Sequence, residues 1–391
     1  MKAHLLASAA VLLVVPASAS DWTIDPWTGD LDSYTITVGG EAHGTLFSSD
    51  LPKVTDFDRH WASGLADLSL KIERDYDSGM TVALKSTFEV ARDKLSYDNY
   101  GGNLVQKVYG VLDSGLGTVE IGMTDGAAYK LAVTGPVVDD ATSIDNANAT
   151  FFLDPITGRD FTRVFALNSY VESSLNYAKF SYFTKRLFGI EIAVSYTPSE
   201  GREVIPFLNN GPNAANRQKS VWETVASYSS TFGRTSIGVY AAASFGHGTR
   251  KTPGHAGLTE WGMGTEIDYD LNDDMKLAFG GAWRHTNTYA FDIYDARTAG
   301  GSDSAHLSST LTWGPWILGG EYGRGTAGGD GFAPTIGVKG WQGSVGYVFN
   351  ANWQLTAGWQ ELRYDRSAGV FYNGGPRIEM SAAFLHLRLH V

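Results

Sequence analysis

The feature that most constrains this sequence is a strict alternation of apolar and small polar residues. In GWQGSVGYVFNANWQLTAGWQ, residues 340–360, Trp341, Val345 and Tyr347 fall on one side of an extended chain, with glutamine, serine and glycine on the other. After Asn350–Asn352 the alternation resumes with Trp353. Successive side chains of a strand point to opposite faces, so the segment predicts two antiparallel strands joined by a tight turn. Similar pairs recur along the whole chain, which indicates an all-β fold.

The connections between these predicted strands alternate in length. Seven are short: Asp77–Gly79, Ser114–Gly115, Lys185–Phe188, Phe232–Arg234, Asn272–Asp273, Gly314 and Asn350–Asn352. Eight are longer and rich in Gly, Pro and Asp: 48–63, 94–103, 125–163, 198–219, 246–257, 287–302, 325–338 and 366–376. Together they join sixteen strands, with a range of 14–18. A soluble sandwich has no reason to keep short turns at one end and long loops at the other.

The two faces of the strands point to a membrane. Only 18% of the residues are charged, against roughly 25% in a typical soluble domain, and aromatic residues make up 13%. In a bilayer every backbone amide must be satisfied within the protein, so strands span it only as a closed barrel. We therefore predict a transmembrane antiparallel β-barrel with an apolar outer face and a water-filled lumen. The alternative is a large soluble β-protein, whose outer faces would carry Lys and Glu.

The N-terminus predicts export. Met1-Lys2 is followed by an apolar run over residues 5–15 and by Ala17-Ser18-Ala19, a small-residue cleavage pattern. These features are typical of a secretory signal peptide over residues 1–19, which leaves 20–391 as the barrel. The apolar run is too short for a membrane helix, which needs about 20 residues.

Composition excludes several function classes. The chain has no Cys, which rules out disulfides, thiolate metal sites and cysteine nucleophiles. Its net charge of -12 argues against a nucleic-acid partner. A Gly-x-Gly-x-x-Gly match at residues 323–328 runs into a loop instead of a helix, so it does not predict a nucleotide site. We expect no cofactor beyond divalent cations bound loosely at acidic loops.

Two segments resemble a known family. KVYGVLDSGLGTVEIGM, residues 107–123, and SSLNYAKFSYFTKRLFGIEIAVSYTPSEG, residues 173–201, are similar to strand pairs that flank the third loop of bacterial outer-membrane general porins. The chain departs from that family at Met123, where Arg is common, and at Val391, where a terminal Phe is usual.

The resemblance implies a sixteen-stranded, usually trimeric barrel in the outer membrane of a Gram-negative bacterium. Short turns would face the periplasm and long loops the exterior, and ions and small hydrophilic solutes would diffuse through passively. The third loop, here 125–163, would fold inward and narrow the pore. Lipid, lipopolysaccharide and two further copies of the chain are the expected partners. Gly40, Ala42 and Gly44, small residues on the outer face of the first strand, would permit close packing between copies.

Charge at the narrowest point would select solutes. The candidate acids on the loop are Asp139, Asp140, Asp145, Asp154 and Asp160. The strand pattern points five bases into the lumen: Lys71, Lys85, Lys107, Arg284 and Arg388. It also points inward the acids Glu41, Glu73, Glu89, Glu191 and Glu266. Acid on one side and base on the other would set a transverse field. The alternative for each loop aspartate is a solvated turn former.

Tryptophans are expected at the two membrane interfaces, as in the aromatic girdles of such barrels. The candidates are Trp261, Trp283, Trp313, Trp316, Trp341, Trp353 and Trp359. The rival interpretation is a row of rings that stack sugars inside the lumen. Most of these residues share the apolar phase, which favours the girdle.

Two other functions stay open at this point. One is an outer-membrane hydrolase with Ser, His and a polar partner on its outer edge, for which His43, His285, His306 and His386 are candidates by type alone. The other is an adhesin or receptor barrel without an open pore.

Overall fold

The computed structural model describes residues 24–50, 60–92, 105–146, 167–199, 218–248, 257–289, 298–327, 336–366 and 375–391. The signal peptide predicted for residues 1–19 lies outside these ranges and stays a prediction. The strands are β1 Trp27–Leu31, β2 Tyr34–Asp50, β3 His60–Asp75, β4 Thr81–Arg92, β5 Val105–Ser114, β6 Gly117–Met123, β7 Ala178–Thr184, β8 Ile190–Ser199, β9 Gln218–Phe232, β10 Thr235–Gly248, β11 Thr259–Asn272, β12 Met275–Tyr289, β13 Thr298–Trp313, β14 Trp316–Ala327, β15 Ile336–Val348, β16 Trp353–Arg366 and β17 Arg377–His390.

The sheet closes on itself. Each strand from β2 to β17 pairs antiparallel with its neighbour in sequence, and β17 returns to pair with β2 from Ser381↔Asp50 to His390↔Glu41. Two backbone hydrogen bonds extend this seam, from Gly40 N to Val391 O at 2.9 Å and from Val391 N to Gly40 O at 2.8 Å. These sixteen strands form a closed barrel without a free edge, as the sequence predicts.

A short segment that the sequence did not predict completes the seam. β1 pairs with the start of β2, from Trp27↔Val38 to Leu31↔Tyr34, on the edge that β17 occupies further along. The side chain of Asn352 joins the two pieces, because its Nδ2 donates to the carbonyl oxygens of Ile24 and His390, both at 2.7 Å. The N-terminal segment therefore lies on the same edge of β2 as β17, next to the β17 residues that pair with it.

The turns at one end of the barrel are short, as predicted. β3–β4 is joined by Tyr76–Met80, β9–β10 by Gly233-Arg234 and β13–β14 by Gly314-Pro315. Gly233 and Gly314 have φ of 61° and 55°, the left-handed conformation that a two-residue hairpin turn requires and that glycine adopts without strain. The connections at the other end are longer, and large parts of them lie outside the described residues.

The outer face is apolar. Leu277 and Phe279 of β12 are 38% and 48% exposed on the outside, while Ala278 between them is buried on the inside. The same phase puts many large apolar side chains outward: Leu46, Leu68, Val82, Leu84, Leu112, Ile121, Ile192, Val239, Met263, Leu307, Leu318 and Leu387. No helix in the described ranges is long and apolar enough to cross a membrane.

A charge on this outer face should destabilise the barrel. Phe279→Arg would place a guanidinium in the apolar band, and we expect the free energy of unfolding to fall by about 2–4 kcal/mol. Ser69→Arg is the control, because Ser69 is exposed on the inner face of β3, where water solvates the charge. Denaturant unfolding in lipid vesicles measures both, and an equal loss in the two variants would contradict the inside-out arrangement.

Candidate functional site: the inner loop and the lumen

The connection between β6 and β7 lies inside the barrel. We call its described parts, Thr124–Asn146 and Leu167–Tyr177, the inner loop; it continues past residue 163, the end predicted from sequence. It begins with a one-turn helix, α1 (Ala127–Lys130), in which Ala127 and Ala128 are completely buried. The loop packs on the inner faces of strands on one side of the barrel.

Two apolar patches on the inner wall receive the inner loop. Around α1 the first contains Phe183, Ala193, Val225, Tyr240 and Ala242, packed with Val133 and Val171 of the loop. The second joins Ile144 and Leu167 of the loop to Val338, Leu362, Tyr364, Ile378, Met380 and Phe384 of β15–β17. Inward-facing apolar residues, Phe183 on β7 and Val225 on β9, weaken the apolar–polar alternation of these two strands, because large apolar side chains such as Phe180 and Trp222 also stand on their outer faces.

Buried carboxylates of the wall bind the loop backbone. Glu223 of β9 accepts hydrogen bonds from Ser174 N at 3.0 Å and from Ala128 N at 3.4 Å. It thus satisfies donors from both ends of the loop with a single side chain. Backbone N–H groups that would otherwise be buried without partners are costly, so this glutamate fixes where the two ends of the loop meet.

A second carboxylate serves the middle of the loop. Glu321 of β14 accepts from Ser143 Oγ at 2.6 Å and from Ile144 N at 3.2 Å, and His306 Nε2 lies 3.3 Å from it. His306 is buried beneath the loop, with its Nδ1 3.7 Å from Asp145 Oδ2. Asp145 in turn accepts from Ser169 N at 2.6 Å and so joins the two described parts of the loop.

A third attachment lies near the seam. Asp139 is 3% exposed and accepts from Thr356 Oγ1 at 3.1 Å, and its Oδ2 lies 3.7 Å from His386 Nε2. His386 also contacts Thr45 Oγ1 at 2.7 Å and His43 Nδ1 at 3.2 Å. This chain of polar contacts ties the loop to β2, β16 and β17, the strands that close the barrel.

Lys179 secures both ends of the loop. Its ammonium donates to the backbone oxygens of Thr124, at the loop's start, and of Ser174 and Leu175, near its end. The side chain is 4% exposed. A buried ammonium needs several oxygen partners, and here all three come from the loop, so Lys179 acts as a clasp between its two ends.

Glycine on the wall makes room for the loop. A Cβ at Gly264 of β11 would collide with the carbonyl oxygen of Val133. The absence of a side chain at this position therefore lets the backbone of the loop lie directly on the sheet.

The predicted loop acids divide into two groups. Asp139 and Asp145 are buried at the contacts just described, so the structure assigns them to loop attachment and not to the water-lined face. Asp140 is exposed on the loop. Partial loss of water around its carboxyl group, together with the negative charge of Asp139, raises its pKa. Asp154 and Asp160 lie outside the described residues.

The five predicted bases all point into the barrel but in different surroundings. Lys71 and Lys85 lie opposite each other on β3 and β4, and Lys71 pairs with Glu73 at 2.6 Å. Lys107 of β5 pairs with Asp125 of the inner loop at 2.6 Å. Arg284 differs, because it is mostly covered by the loop and binds Glu260 and Asn168. Arg388 lies 3.6 Å from Glu41 near the seam.

The predicted wall acids are mostly partnered. Besides Glu41 and Glu73, Glu191 pairs with Arg186 at 2.8 Å, and Glu89 accepts from Gln106 Nε2 at 2.9 Å. Glu266 lies on the inner face of β11, between its neighbours Gly238 and Gly280. No group of three or more His, Asp or Glu side chains in the described ranges is arranged to hold a metal ion.

The seven candidate girdle tryptophans lie on the outer face in two rows. Trp313, Trp316 and Trp353 are next to the short turns, with Trp313 directly opposite Trp316. Towards the long connections lie Trp261, Trp283, Trp341 and Trp359. Their contact with the membrane interfaces stays a prediction.

Glu172 is an inner-loop residue that the sequence did not single out. It is half-buried on the inner loop, and burial raises its pKa to about 7, with Arg284 opposing the shift and Asp125, Glu260 and Glu223 adding to it. A carboxyl group with this pKa changes charge near neutral pH. The sequence carries a signal for the loop contacts, since Glu223, Glu260 and Glu321 have inward phase beside apolar inward residues. Glu172 has none.

Comparison with known proteins identifies the family. A family model described as Gram-negative porin matches residues 7–369. The chain belongs to the Gram-negative porin family. This membership confirms the resemblance seen in the sequence and places the barrel in the outer membrane, where it forms a channel. No curated protein matches the sequence.

Solved structures share the fold of this porin at low sequence identity. The outer-membrane channel DcaP of Acinetobacter baumannii has a TM-score of 0.60 and 12% identity, over 94% of this chain and 100% of its own. OmpF of Salmonella typhi, in complex with daunomycin, has a TM-score of 0.59 and 13% identity, over 93% and 100%. A trimer form of OmpT from Vibrio cholerae has a TM-score of 0.55 and 11% identity, over 92% and 100%. At these identities the likeness concerns the fold alone.

Removing the clasp should loosen the inner loop of this porin. Lys179→Met would leave three backbone oxygens without their donor, at a cost of about 1–3 kcal/mol each where they stay buried. We expect larger and noisier single-channel currents. Lys276→Met is the matched control, since Lys276 also points inward, but its ion pair in the described part of the chain is with Asp268 at 3.4 Å, near the short turns. Currents indistinguishable from those of the unmodified porin would contradict the role of Lys179.

Proposed function

We propose that this porin lets ions and small hydrophilic solutes diffuse passively through a lumen that the inner loop narrows. The observation that carries the proposal is the fixation of the loop along β8–β17 by apolar patches and buried carboxylates. On the opposite side, the described part of the loop reaches the wall at β5, where Asp125 pairs with Lys107, Asn176 Nδ2 donates to the backbone oxygen of Gln106 and the Lys130 ammonium lies over the Tyr109 ring. A sixteen-stranded barrel is wide enough to hold an aqueous channel, so a loop that fills part of the lumen would leave a narrower aqueous passage beside it.

Charge across this passage would be asymmetric. Lys71, Lys85 and Lys107 line the wall of β3–β5, and Asp140 and Glu172 lie on the loop. Such an arrangement would orient dipolar solutes and order water across the pore. Catalysis has no part in this proposal, and divalent cations would at most bind loosely at acidic loops.

Reconstitution tests the proposal. In planar bilayers we expect stepwise, ohmic conductance from the folded protein, and faster flux for small sugars than for large ones in a vesicle-swelling assay. A folded barrel that inserts without conductance would contradict the proposal and favour a receptor or adhesin.

Selectivity should depend on pH through Glu172. Its pKa of about 7 means that the carboxyl is neutral at pH 6 and negative at pH 8. One charge acting on an ion ~7 Å away in water contributes about 0.6 kcal/mol, which favours a cation and disfavours an anion by roughly two- to threefold each, so the ratio of cation to anion permeability should rise roughly sevenfold. Reversal potentials in a salt gradient at the two pH values measure this ratio.

Two variants separate Glu172 from its neighbour. Glu172→Gln should abolish the step between pH 6 and 8. Asp140→Asn should lower the cation preference at both pH values and keep the step. Persistence of the full step in Glu172→Gln would show that another group titrates.

The structure contains only part of the catalytic triad that the hydrolase alternative requires. His285 Nδ1 lies 2.8 Å from Asp303 Oδ1 on the outer face, which matches two members of a catalytic triad. Within the described ranges, no serine hydroxyl is bonded to His285. His306 and His386 are buried under the inner loop, and His43 faces inward beside His386. An assay for lipid hydrolysis by the conducting porin decides this alternative.

We further propose that three copies associate through the face near the seam, in a membrane that also holds lipopolysaccharide. Leu46, Leu68 and Leu387 give this face an apolar surface, and Gly44 leaves an open position among them. Gly40 has a different role, because its Cβ would lie 2.6 Å from the carbonyl oxygen of Asp67, so strand pairing explains this glycine.

A bulky residue at Gly44 should separate the copies. Nothing lies within 4 Å of a Cβ at this position, so Gly44→Phe fits the single barrel but would obstruct a neighbour. We expect the unheated protein to migrate as a monomer in detergent gels. Gly320→Phe is the control, because Gly320 on β14 is equally open and faces outward away from the seam. If both variants keep the trimer, the interface lies elsewhere.

A further inference from the structure

Three positive side chains form a row on the outer face near the long connections. Arg324 of β14 lies directly opposite Lys339 of β15, which lies opposite Arg363 of β16. Arg324 and Lys339 are exposed, and the inward positions beside them, Gly323 and Val338, are buried. The row therefore faces away from the lumen.

Like charges in direct register repel, because opposed Cβ atoms of neighbouring strands lie only about 5 Å apart. Arg363 has a partner, since its Nε donates to Asp365 Oδ2 at 3.1 Å. For Arg324 and Lys339, no carboxylate of the described ranges lies within ion-pair distance. Two acids on the same face lie two residues along the neighbouring strands, and both have other partners: Glu361 accepts from Trp341 Nε1 at 3.0 Å, and Asp303 Oδ1 lies 2.8 Å from His285 Nδ1. Within the described ranges the pair therefore has no ion-pair partner, and an external anion would stabilise both charges.

The position of the row indicates where that anion lies. Directly below it, Tyr322 faces Trp341, both about half exposed on the outside. Arg324 lies eight residues from Trp316, which stands at the short-turn end of β14. A tilted strand advances roughly 2.5 Å per residue along the barrel axis. The row therefore lies ~20 Å from Trp316 along the axis, near the far edge of an apolar band about 25 Å tall. Lipid headgroups begin at this height.

We propose that Arg324 and Lys339 bind the phosphate groups of an outer-leaflet lipid with a phosphorylated headgroup. Guanidinium and ammonium groups are strong donors to phosphate oxygens. Tyr322 and Trp341 below them pack against the start of the acyl chains, as aromatic residues do at membrane interfaces. The site rests on the outer-membrane location of the barrel and not on what passes through its lumen.

Binding of defined lipids tests the site. The folded porin in detergent is titrated with lipid A that carries both phosphates, with the same lipid after enzymatic removal of the phosphates, and with inorganic phosphate. Since each basic residue near an anionic surface contributes about 1 kcal/mol, Arg324→Gln/Lys339→Gln should weaken binding of phosphorylated lipid A roughly 30-fold. Dephosphorylated lipid should bind weakly to both proteins, and inorganic phosphate to neither.

The control pair removes the same charge at the other end of the barrel. Lys185 and Arg234 lie in the short turns, and Lys185→Gln/Arg234→Gln should leave lipid A binding unchanged. Folding of each variant is checked by the migration of the unheated protein in a detergent gel. The lipid-binding measurement therefore does not depend on whether the barrel conducts. Three results would overturn the proposal: equal binding by the Arg324/Lys339 variant, tight binding of inorganic phosphate alone, or loss of oligomer migration in that variant, which would mark the row as a contact between copies.

Discussion

Backbone hydrogen bonding in a medium without water is the constraint on which this structure depends. A strand in lipid must have partners on both edges, so the last strand has to find the first. Here β17 pairs with β2, and β1 fills the part of the seam that β17 leaves open, with Asn352 bonded to both. Once the barrel is closed, the side chains of each strand alternate between its two faces, so the apolar residues lie outside and the polar residues lie inside.

The inner loop packs inside this tube and occupies part of its lumen. Inward-facing residues of the barrel are otherwise polar, but the wall beneath the loop is different. Apolar residues such as Leu362 and Met380 point inward there, and the carboxylates of Glu223 and Glu321 are buried against loop residues. These groups would be out of place in an open lumen. They are explained when the loop is regarded as a second layer of the protein, packed on the inner face of β8–β17 and held at both ends by Lys179.

The sequence was sufficient for the barrel because period-two alternation and turn length are local signals. The strand count, the short turns such as Gly314-Pro315 and the outward phase of Phe279 all follow from it. It was insufficient where the signal depends on a distant partner. On β9 the alternation is weak, because Val225 faces inward and packs with the loop. Asp139 and Asp145 were expected at the water-lined face, but only the fold brings Thr356, His386 and Ser169 to them. β1 is too short to carry a pattern of its own.

Site-directed labelling measures the central claim, a wet interior inside an apolar exterior, most directly. The chain contains no Cys, so single cysteines can be placed at Thr87, which faces the lumen beside Lys85, and at Met263, which is 56% exposed on the outer face. In a bilayer, a charged, membrane-impermeant thiol reagent should modify Thr87→Cys quickly and reduce the current through the pore, and should leave Met263→Cys unmodified. Rapid modification of Met263→Cys together with protection of Thr87→Cys would contradict the account.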